Sequence, residues 1–491
     1  MTPSRLCVTL TAATTAELRT RRDQVIDADL VELRLDTVAD PSAAGALAGR
    51  KKPVIVTCRP KGQGGHFAGS EDERRAILSD ALALGADYVD IEWRGSCADL
   101  IERTGGRRVV LSHHDFQGVP RDLDDIAHAM LASGTEVVKL AVMASRLGDC
   151  VRLRAVGRHA GAPMSLIAMG EAGLPSRVLA GWMGSCWTYT GDGVAPGQLS
   201  ERTMHDEFRF RRIGSRTGIY GVIGRPVAHS VSPAMHNAAF RATSLDAVYL
   251  PLAAADFNDF QAFAAAAGMA GVSVTAPFKV NAFESADECD AVTRRSQSVN
   301  TLRRDGSRWL GMNSDVPGFL APLESAMRLA GTRATILGAG GASRSVAIAL
   351  ASAGVRVSVS ARREDQAHSV AALTGAQVAA WPPDPAGWDL LVNATPVGTL
   401  PGIDASPLPQ NYPFNPRGLV YDLVYNPTVT RMLALAERAG CRTIGGLDML
   451  VAQAQAQFEW WTGHRPSERV MRDAALARLT GHVAASPERT P

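Results

Sequence analysis

Lysine is scarce in this 491-residue sequence, where it occurs only at Lys51, Lys52, Lys61, Lys139 and Lys279, while all other basic residues except histidine are arginine. A guanidinium supplies positive charge but stays protonated in proteins, so it cannot act as a free amine. A lysine that is kept in an apolar setting is therefore a candidate for amine chemistry.

Other features are missing as well. The seven cysteines include no CxxC pair, so we expect neither a zinc site nor a disulfide framework. The net charge is only +2, which gives no basic surface for nucleic acid. No apolar run is long enough to span a membrane, and no signal segment precedes the first strand-like run. We expect a cytoplasmic protein without a nucleic-acid or membrane partner.

The length of the chain favours two or three domains. Short apolar runs are abundant in the first 204 residues. Eight such runs alternate with helical patterns, and they are LCVTL, LVELRL, VIVTCR, YVDIE, VVLS, VVKLAV, SLIA and SCWTYT. This alternation predicts an α/β fold that begins with a closed (β/α)8 barrel, whose chemistry would lie at the C-terminal ends of the strands.

The remaining sequence predicts a second α/β part. We expect a charged linker over 205–218, a first α/β stretch over 219–320, a Rossmann lobe over 321–429 and a disordered tail over 479–491. The Rossmann prediction rests on ATILGAGGASRSVAIALASAG, in which an apolar strand, a glycine-rich turn and an alanine-rich helix follow one another.

Lys139 lies inside the apolar run TEVVKLAVM, which predicts a strand that is buried on both faces. Desolvation favours a neutral amine, which can attack a carbonyl and form a Schiff base. The alternative is a lysine that snorkels or pairs with Glu136 or another carboxylate at the rim. The His pair in LSHHDF ends the preceding strand, and one imidazole there could move the proton that an iminium acidifies.

The motifs VELRLD, TCRPKGQGG, SHHDF, VVKLAVM, GLPSRVLAG and APGQ closely resemble those of type I 3-dehydroquinate dehydratases over residues 5 to 203. The resemblance implies that Lys139 forms the Schiff base and that His114 is the general acid and base. It implies substrate contacts from Glu32, Arg34, Arg59, Arg177 and Gln198. Gln63 and Val194 depart from the residues that many or some family members have there.

Two further pairs of side chains stand out in the second part. Ser230 and Ser232, two positions apart in a loop, could both bind one carboxylate, although an ST-turn or a helix N-cap is the commoner use of such serines. Lys279 and Asp315 could hold a substrate hydroxyl and pass its proton, as carbonyl reduction by hydride requires. A structural salt bridge is the alternative for this second pair.

The glycine-rich turn has Gly338 and Gly340 where a tight turn and a close pyrophosphate approach need them, and Ser343 where a third glycine often stands. The next strand is followed by Arg362 and Arg363 rather than by Asp or Glu. Arginine at this position favours the 2′-phosphate of NADP over the free hydroxyl of NAD.

From Ile219 to Arg472 the motifs SVS, SVTAPFK, SVNTL, GMNSD, GAGGASR, VNATPVG, LVYNP and GGLDMLVAQA resemble those of shikimate dehydrogenases. The resemblance implies that 219–320 forms a substrate-binding lobe, which 430–478 completes, and that Lys279 and Asp315 are the catalytic pair. It implies substrate contacts from Ser230, Ser232, Thr275, Asn300, Tyr425 and Gln453. The implied NADP contacts are Gly338, Gly340, Gly341, Ala342, Arg362, Thr395, Pro396, Val397 and Gly446. Ser273, Ser314 and Thr399 depart from the usual pattern.

The two resemblances together imply a fused bifunctional enzyme of the shikimate pathway, with 3-dehydroquinate, 3-dehydroshikimate and shikimate as small-molecule partners. One alternative is quinate catabolism, in which the second part would oxidise quinate or shikimate. Another is a sensor of the quinate pathway that has lost catalysis, against which all four catalytic candidates argue. The sequence leaves open whether the protein is a monomer or a homodimer.

Overall fold

The computed structural model describes residues 4–158, 161–191 and 193–484, and their side chains as far as residue 480. Its internal contacts divide the chain into two compact units. One unit comprises Met1–His229 and Asp246–Met269, and the other comprises Ser230–Leu245 and Ala270–Pro491. The domain boundaries drawn from the sequence pattern at 204 and 219 stay a prediction.

The predicted barrel is confirmed in the first unit. Its eight strands are β1 (Arg5–Leu10), β2 (Leu30–Arg34), β3 (Val54–Thr57), β4 (Tyr88–Glu92), β5 (Val109–Asp115), β6 (Val137–Met143), β7 (Met164–Met169) and β8 (Trp187–Thr190). Every strand pair is parallel, and β1 pairs with both β2 and β8. A single bridge between Met164 and Ser185 joins β7 to the chain before β8, so the barrel is nearly closed.

Helices connect the barrel strands. They are α1 (Thr15–Gln24), α2 (Ala43–Leu47), α3 (Glu71–Ala83), α4 (Ala98–Thr104), α5 (Leu123–Ala132), α6 (Leu147–Arg158), α7 (Leu174–Val178) and α8 (Ala180–Met183). Alternate strand residues such as Ile55, Val110, Ile167 and Trp187 form one buried cluster, so the strands bury both faces as the apolar runs predict.

The segment predicted as a linker, 205–218, is packed against the chain that precedes it. Phe208 and Phe210 are buried, and Arg211 pairs with Asp29 at 3.0 Å. The charge of this segment suggested full solvation, but its two phenylalanine rings are buried, while Arg211, Arg212 and Arg216 are exposed.

Elements of the second part follow in the order β9 (Gly218–Ile223), α9 (Ser232–Ala242), β10 (Ala247–Leu252) and α10 (Phe257–Ala267). β9 and β10 form a parallel pair, and together with α10 they belong to the unit that contains the barrel. α9 belongs to the second unit.

The second unit contains two groups of strands. The first group has the order β11 (Gly271–Val274), β13 (Thr301–Asp305), β14 (Arg308–Met312) and β12 (Glu288–Cys289). The second group is a parallel sheet with the order β17 (Gln377–Ala379), β16 (Arg356–Ser360), β15 (Arg333–Leu337), β18 (Leu390–Asn393), β19 (Leu419–Asp422) and β20 (Arg442–Ile444). This doubly wound order confirms the predicted Rossmann arrangement.

The helices of the second unit after α9 are α11 (Lys279–Ser285), α12 (Ala291–Ser296), α13 (Asp315–Ala326), α14 (Gly341–Ser352), α15 (Glu364–Ala372), α16 (Arg431–Arg438), α17 (Gly446–Thr462) and α18 (Glu468–Ala484). Of the predicted tail 479–491, residues 479–484 belong to α18, and 485–491 lie outside the described residues. In the part of the chain that the structure describes, no helix combines the length and the apolar character that a membrane span needs.

Two candidate active sites

The first candidate site is a cavity at the C-terminal rim of the barrel, where the ends of parallel strands meet. All seven candidate side chains of the first half line this cavity, and they are Glu32, Arg34, Arg59, His114, Lys139, Arg177 and Gln198. They come from β2, β5 and β6, from the segments after β3 and β8, and from α7. The fold therefore collects residues that lie up to 166 positions apart in the sequence.

Lys139 reaches this cavity from the middle of β6, and only 7% of its side chain is exposed. Its Nζ lies 3.2 Å from a carboxylate oxygen of Asp90, 3.6 Å from one of Glu32 and 4.1 Å from the ring centre of Tyr189. An ion pair is thus present, but Glu136 is not the partner, because that carboxylate accepts bonds from Tyr88 and from the backbone of Arg108. The amine remains at the cavity wall, where a carbonyl compound could reach it.

His114 lines the cavity, whereas His113 does not and instead packs edge-on against Trp93 at 5.5 Å. A guanidinium nitrogen of Arg59 lies 3.2 Å from Nδ1 of His114. Because a guanidinium cannot accept, Nδ1 is the acceptor and the proton of the neutral ring lies on Nε2. Burial and, next, the charge of Arg59 hold the pKa of His114 well below its usual value. The imidazole is therefore neutral at neutral pH, as a general base must be.

The arginines of the rim are held by buried partners. Arg59 contacts Asp90 at 2.9 Å and Glu92 at 3.3 Å, and it donates to Ser112 at 3.2 Å. Arg34 donates to both oxygens of Asp36, at 2.8 and 2.7 Å. These partners fix the two guanidinium groups at the cavity wall, so an anionic ligand would meet them without a large entropic cost.

Two further candidates close the side of the cavity. Arg177 donates to the carbonyl oxygens of Tyr189 and Pro196, and burial lowers the pKa of Arg177 to about 10. The amide oxygen of Gln198 accepts from the backbone of Ala195 at 3.1 Å. Val194, which departs from the family pattern, lines the same wall.

Sequence reasoning missed Asp90, which touches two site residues directly. It is fully buried on β4, where it accepts from Arg59 and from Ser112 and pairs with Lys139. Burial alone would raise the pKa of Asp90, but the charges of Arg59 and Lys139 outweigh it and hold the pKa below the usual range. An acidic residue inside the apolar run YVDIE was the available signal.

Sequence reasoning also missed Tyr189, whose ring lies beside the Lys139 amine and lines the cavity. It occupies β8, where WTYT reads as an ordinary aromatic strand. Nothing in the residue type alone marks it as part of a site.

The second candidate site lies in the second unit, where Lys279 and Asp315 each open a helix, α11 and α13. Their charged atoms are 2.6 Å apart, and the other oxygen of Asp315 accepts from Asn300 at 2.7 Å. The amide oxygen of Asn300 accepts from the backbone and the hydroxyl of Ser314 and from the hydroxyl of Thr301. The carboxylate is thus held by a buried polar network that leaves its lysine one-third exposed.

The paired serines lie in a turn before α9. The Ser230 hydroxyl accepts from the backbone N–H of Ser232 at 3.3 Å, which is the ST-turn that the sequence left open. Ser232 is the first helical residue rather than the N-cap, and Val231 occupies the N-cap position without a side-chain bond.

Three further substrate candidates share no hydrogen bond with the lysine and aspartate pair among the described residues. Thr275 follows β11, Tyr425 follows β19, and Gln453 lies on α17. The backbone and Cβ of Gln453 pack so closely on Gly318 of α13 that a Cβ there would come within 2.6 Å. Burial raises the pKa of Tyr425, which stays neutral at neutral pH.

Residues that depart from the family pattern are bonded in this half. Ser273 donates to Gln457 at 3.0 Å, and Thr399 donates to the carbonyl oxygen of Asn426 at 3.1 Å.

The cofactor candidates lie at one edge of the parallel sheet. Leu337, Ser360 and Asn393 are the register partners that end β15, β16 and β18. The next residues of all three strands therefore meet at that edge, which is where dinucleotides bind in such sheets. The candidates in this position are Gly338, Gly340, Gly341, Ala342, Arg362, Thr395, Pro396 and Val397.

The turn after β15 fits a pyrophosphate. Gly338 has a φ of +103°, and a Cβ there would lie 2.7 Å from Thr395, so only glycine is accommodated. A Cβ on Gly340 or Gly341 would meet no atom within 4 Å, so space lies open before the N-terminus of α14. A helix N-terminus with free N–H groups attracts a phosphate.

The adenosine end has cationic side chains. Arg362 and Arg363 are exposed directly after β16, and within the described ranges neither forms an ion pair. Gly446 opens α17, and a Cβ there would lie 2.4 Å from the carbonyl oxygen of Leu423, so the helix approaches the chain after β19 closely. These residues fit NADP.

Comparison with known proteins finds relatives for both halves of the chain. Family models match as type I 3-dehydroquinase over residues 6–215, shikimate dehydrogenase substrate binding domain over 222–302 and shikimate 5′-dehydrogenase C-terminal domain over 446–476. The bifunctional 3-dehydroquinate dehydratase/shikimate dehydrogenase of Arabidopsis thaliana, a chloroplastic protein, is 32% identical in an alignment of 498 positions, which covers 94% of this chain and 82% of that protein.

Relatives of the second half alone are also similar. The shikimate dehydrogenase (NADP(+)) of Moorella thermoacetica is 40% identical over 56% of this chain and 99% of its own. The structure of the Thermus thermophilus shikimate 5-dehydrogenase with NADP(H) and shikimate is 36% identical, with a TM-score of 0.50 over 53% of this chain and 100% of that chain. This chain belongs to the family of bifunctional 3-dehydroquinate dehydratase/shikimate dehydrogenases.

Proposed function

We propose that the protein catalyses two consecutive reactions of the shikimate pathway. The barrel dehydrates 3-dehydroquinate to 3-dehydroshikimate, and the second unit reduces 3-dehydroshikimate to shikimate with NADPH. The observation that carries the first assignment is the Lys139 amine beside His114 in one cavity. The 2.6 Å pair of Lys279 and Asp315 carries the second assignment.

In the barrel, the free amine of Lys139 attacks the substrate ketone, and loss of water gives an iminium. The iminium acidifies the neighbouring C–H bond, and the neutral imidazole of His114 removes that proton. The electron pair then expels the hydroxyl group on the next carbon. His114 returns the proton to this hydroxyl group, which leaves as water. Hydrolysis of the imine releases the product and restores the amine.

The neighbours of Lys139 assist this sequence. Asp90 and Glu32 stay close to the nitrogen, so they stabilise the positive charge of the iminium once it forms. Arg34, Arg59 and Arg177 are held as forks that bind the carboxylate and hydroxyl groups of the substrate. For Arg59 to bind substrate it must loosen its bond to Nδ1 of His114, which would free that nitrogen to accept a proton.

In the second unit, NADPH supplies a hydride to the substrate carbonyl when it is bound. The Lys279 ammonium donates a proton to the oxygen that becomes the new hydroxyl, and Asp315 keeps Lys279 oriented toward it. Ser230 and Ser232 bind the substrate carboxylate. Side chains that contact its hydroxyls and ring are Thr275, Asn300, Tyr425 and Gln453.

The cofactor is held by the residues at the edge of the parallel sheet. Backbone N–H groups after Gly338 would bind the pyrophosphate, and Arg362 would bind the 2′-phosphate. Thr395, Pro396 and Val397 form a turn in which the Thr395 hydroxyl accepts from the backbone of Val397 at 3.3 Å. This turn would pack on the cofactor. We also propose that the protein works in the cytoplasm.

A coupled assay tests the whole proposal. Purified protein receives 3-dehydroquinate and NADPH, and we expect shikimate as the product, identified by mass spectrometry. Borohydride added with 3-dehydroquinate alone should leave a mass adduct on the peptide that contains Lys139. Absence of the adduct and of turnover would favour a sensor, and preferred oxidation of quinate with NAD would favour the catabolic alternative.

A further inference from the structure

The segment Asp246–Met269 belongs by its sequence pattern to the second half, yet by its contacts to the compact unit of the barrel. Its helix α10 packs against α6 of the barrel. Phe263 of α10 is fully buried and meets the ring of Trp182 edge-on at 5.7 Å. The contact between α10 and the barrel helices is therefore a packed interface with buried apolar side chains.

Asp259 lies at the centre of this interface, and only 1% of its side chain is exposed. Its carboxylate accepts from the backbone of Leu147 at 2.9 Å and of Gly148 at 2.8 Å, and from Nε of Arg146 at 3.2 Å. A fourth bond comes from the backbone of Ala255 at 3.0 Å. Three of the four donors thus belong to the barrel.

The donors Leu147 and Gly148 are the first two residues of α6, whose N–H groups have no partner inside the helix. Helices usually satisfy such groups with a side chain from just before the first turn. Here Asp149 of the same helix serves only the backbone of Ser145 and Arg146 and the hydroxyl of Ser145. A negative charge at the N-terminus also interacts favourably with the helix dipole.

The location of this cap links it to the first active site. β6, which carries Lys139, ends at Met143, and only three residues separate it from α6. We infer that α10 is a docking surface for the barrel and that the Asp259 carboxylate caps the N-terminus of α6, although Asp259 lies in a segment that is distant in sequence. The barrel fold, and with it the corner after the lysine strand, then depends on a helix encoded in the second half. The structural part of this inference does not rest on the proposed function.

Hydrogen exchange of the full-length protein tests the cap directly. In Asp259→Ala we expect the amides of residues 145–150 to exchange at least about tenfold faster than in the unsubstituted protein, because the N–H groups of Leu147 and Gly148 lose a charged acceptor. Asp389→Ala is the control, since Asp389 accepts from the backbone and side chain of Arg333 inside the Rossmann sheet. It should leave exchange at 145–150 unchanged.

Unchanged exchange at 145–150 in Asp259→Ala would overturn the inference. If Asp259→Ala does not fold, Asp259→Asn replaces the charged acceptor of the two N–H groups by a neutral amide and should give the same pattern to a smaller degree; no change there would count equally against the cap. A second readout is heat inactivation, where we expect Asp259→Asn to lower the temperature at which dehydratase activity is lost by about 2–6 °C. Equal losses in Asp259→Asn and Asp389→Asn would remove the link to the barrel.

Discussion

The two lysines that we propose as catalytic residues lie in different surroundings. Lys139 is almost fully buried and is shared by two carboxylates and an aromatic ring, whereas Lys279 is one-third exposed and has one carboxylate partner. A covalent nucleophile needs charge compensation on several sides, because its nitrogen changes from ammonium to amine to iminium. A proton donor needs only one partner that fixes its direction and leaves a face open to the substrate.

Removal of the buried amine should give the largest effect. Lys139→Ala should lower dehydratase turnover by about 10⁴-fold or more, because the iminium route is lost, and it should leave NADPH-dependent reduction of 3-dehydroshikimate intact. Separate assays of both reactions measure this. Lys51→Ala, which removes an exposed lysine, is the control. Loss of both activities would show that the two lysines do not serve independent sites.

Removal of the exposed lysine should affect the other reaction. Lys279→Ala should lower the reduction rate by about 10²–10⁴-fold, since it removes a general acid, while dehydration continues. Asp315→Asn should lower the rate less strongly. It removes the charge that orients Lys279, but the new side-chain amide can still accept a hydrogen bond from Lys279. If Lys279→Ala reduced 3-dehydroshikimate at the original rate, another group would be the proton donor.

The surroundings of the buried lysine can be tested at Asp90. Asp90→Asn keeps the shape of the side chain and the bond from Ser112 but removes the buried carboxylate that Arg59 and Lys139 share. We expect a loss of stability of about 3 kcal/mol and a fall in dehydratase turnover, with the reductase unaffected. Urea inactivation followed by each activity measures both effects. An unchanged dehydratase would mean that Glu32 alone compensates the charge of Lys139.

Arg362 tests the cofactor side of the second unit. Arg362→Ala should raise the KM for NADPH by about 10- to 100-fold and that for NADH much less, because a charged hydrogen bond to the 2′-phosphate is lost. Steady-state kinetics with both cofactors measure the ratio. Equal changes for NADPH and NADH would assign the 2′-phosphate to another side chain.

A buried acid of the second unit sharpens the contrast with Asp90. Burial without a cation raises the pKa of Asp422 from 3.8 to about 6. The folded state therefore keeps this proton longer than the unfolded chain, so the contribution of Asp422 to stability is present below about pH 4 and is lost as pH rises to about 6.

Asp422→Asn removes this titration, so the stability of the second unit should depend less on pH between about 4 and 6, by about 1–3 kcal/mol. Urea inactivation of the reductase at about pH 4.5 and about pH 7 measures the difference. Asp389→Asn is the control because hydrogen bonds from Arg333 lower the pKa of Asp389, which gives the opposite sign. Identical pH dependence in Asp422→Asn and the unsubstituted protein would contradict the raised pKa.

Much of the fold could be predicted because its signals are local. Apolar runs between helical patterns indicated eight barrel strands, and a glycine turn between a strand and an alanine-rich helix indicated the Rossmann sheet. Asp90 escaped because a barrel strand is apolar on both faces, so no alternation reveals which residues point inward. The membership of α10 escaped because packing partners distant in sequence leave no periodic signal.

The candidate sites divide in the same way. Residue types with unusual chemistry, such as an amine in an apolar strand, were visible, and the resemblance supplied the substrate contacts. The bond from Arg59 to His114 was not visible, since it depends on two side-chain orientations across β3 and β5 rather than on either residue alone.

The buried rings of Phe208 and Phe210 have a practical consequence for anyone who divides this chain. A truncation after residue 204 would remove both rings from the barrel and expose the apolar surface that they cover. Gly214, Ser215 and Arg216 lie just beyond them, and the exposed Ser215 and Arg216 offer a better place to separate the halves. Even there, the isolated barrel would lack the helix that carries Asp259.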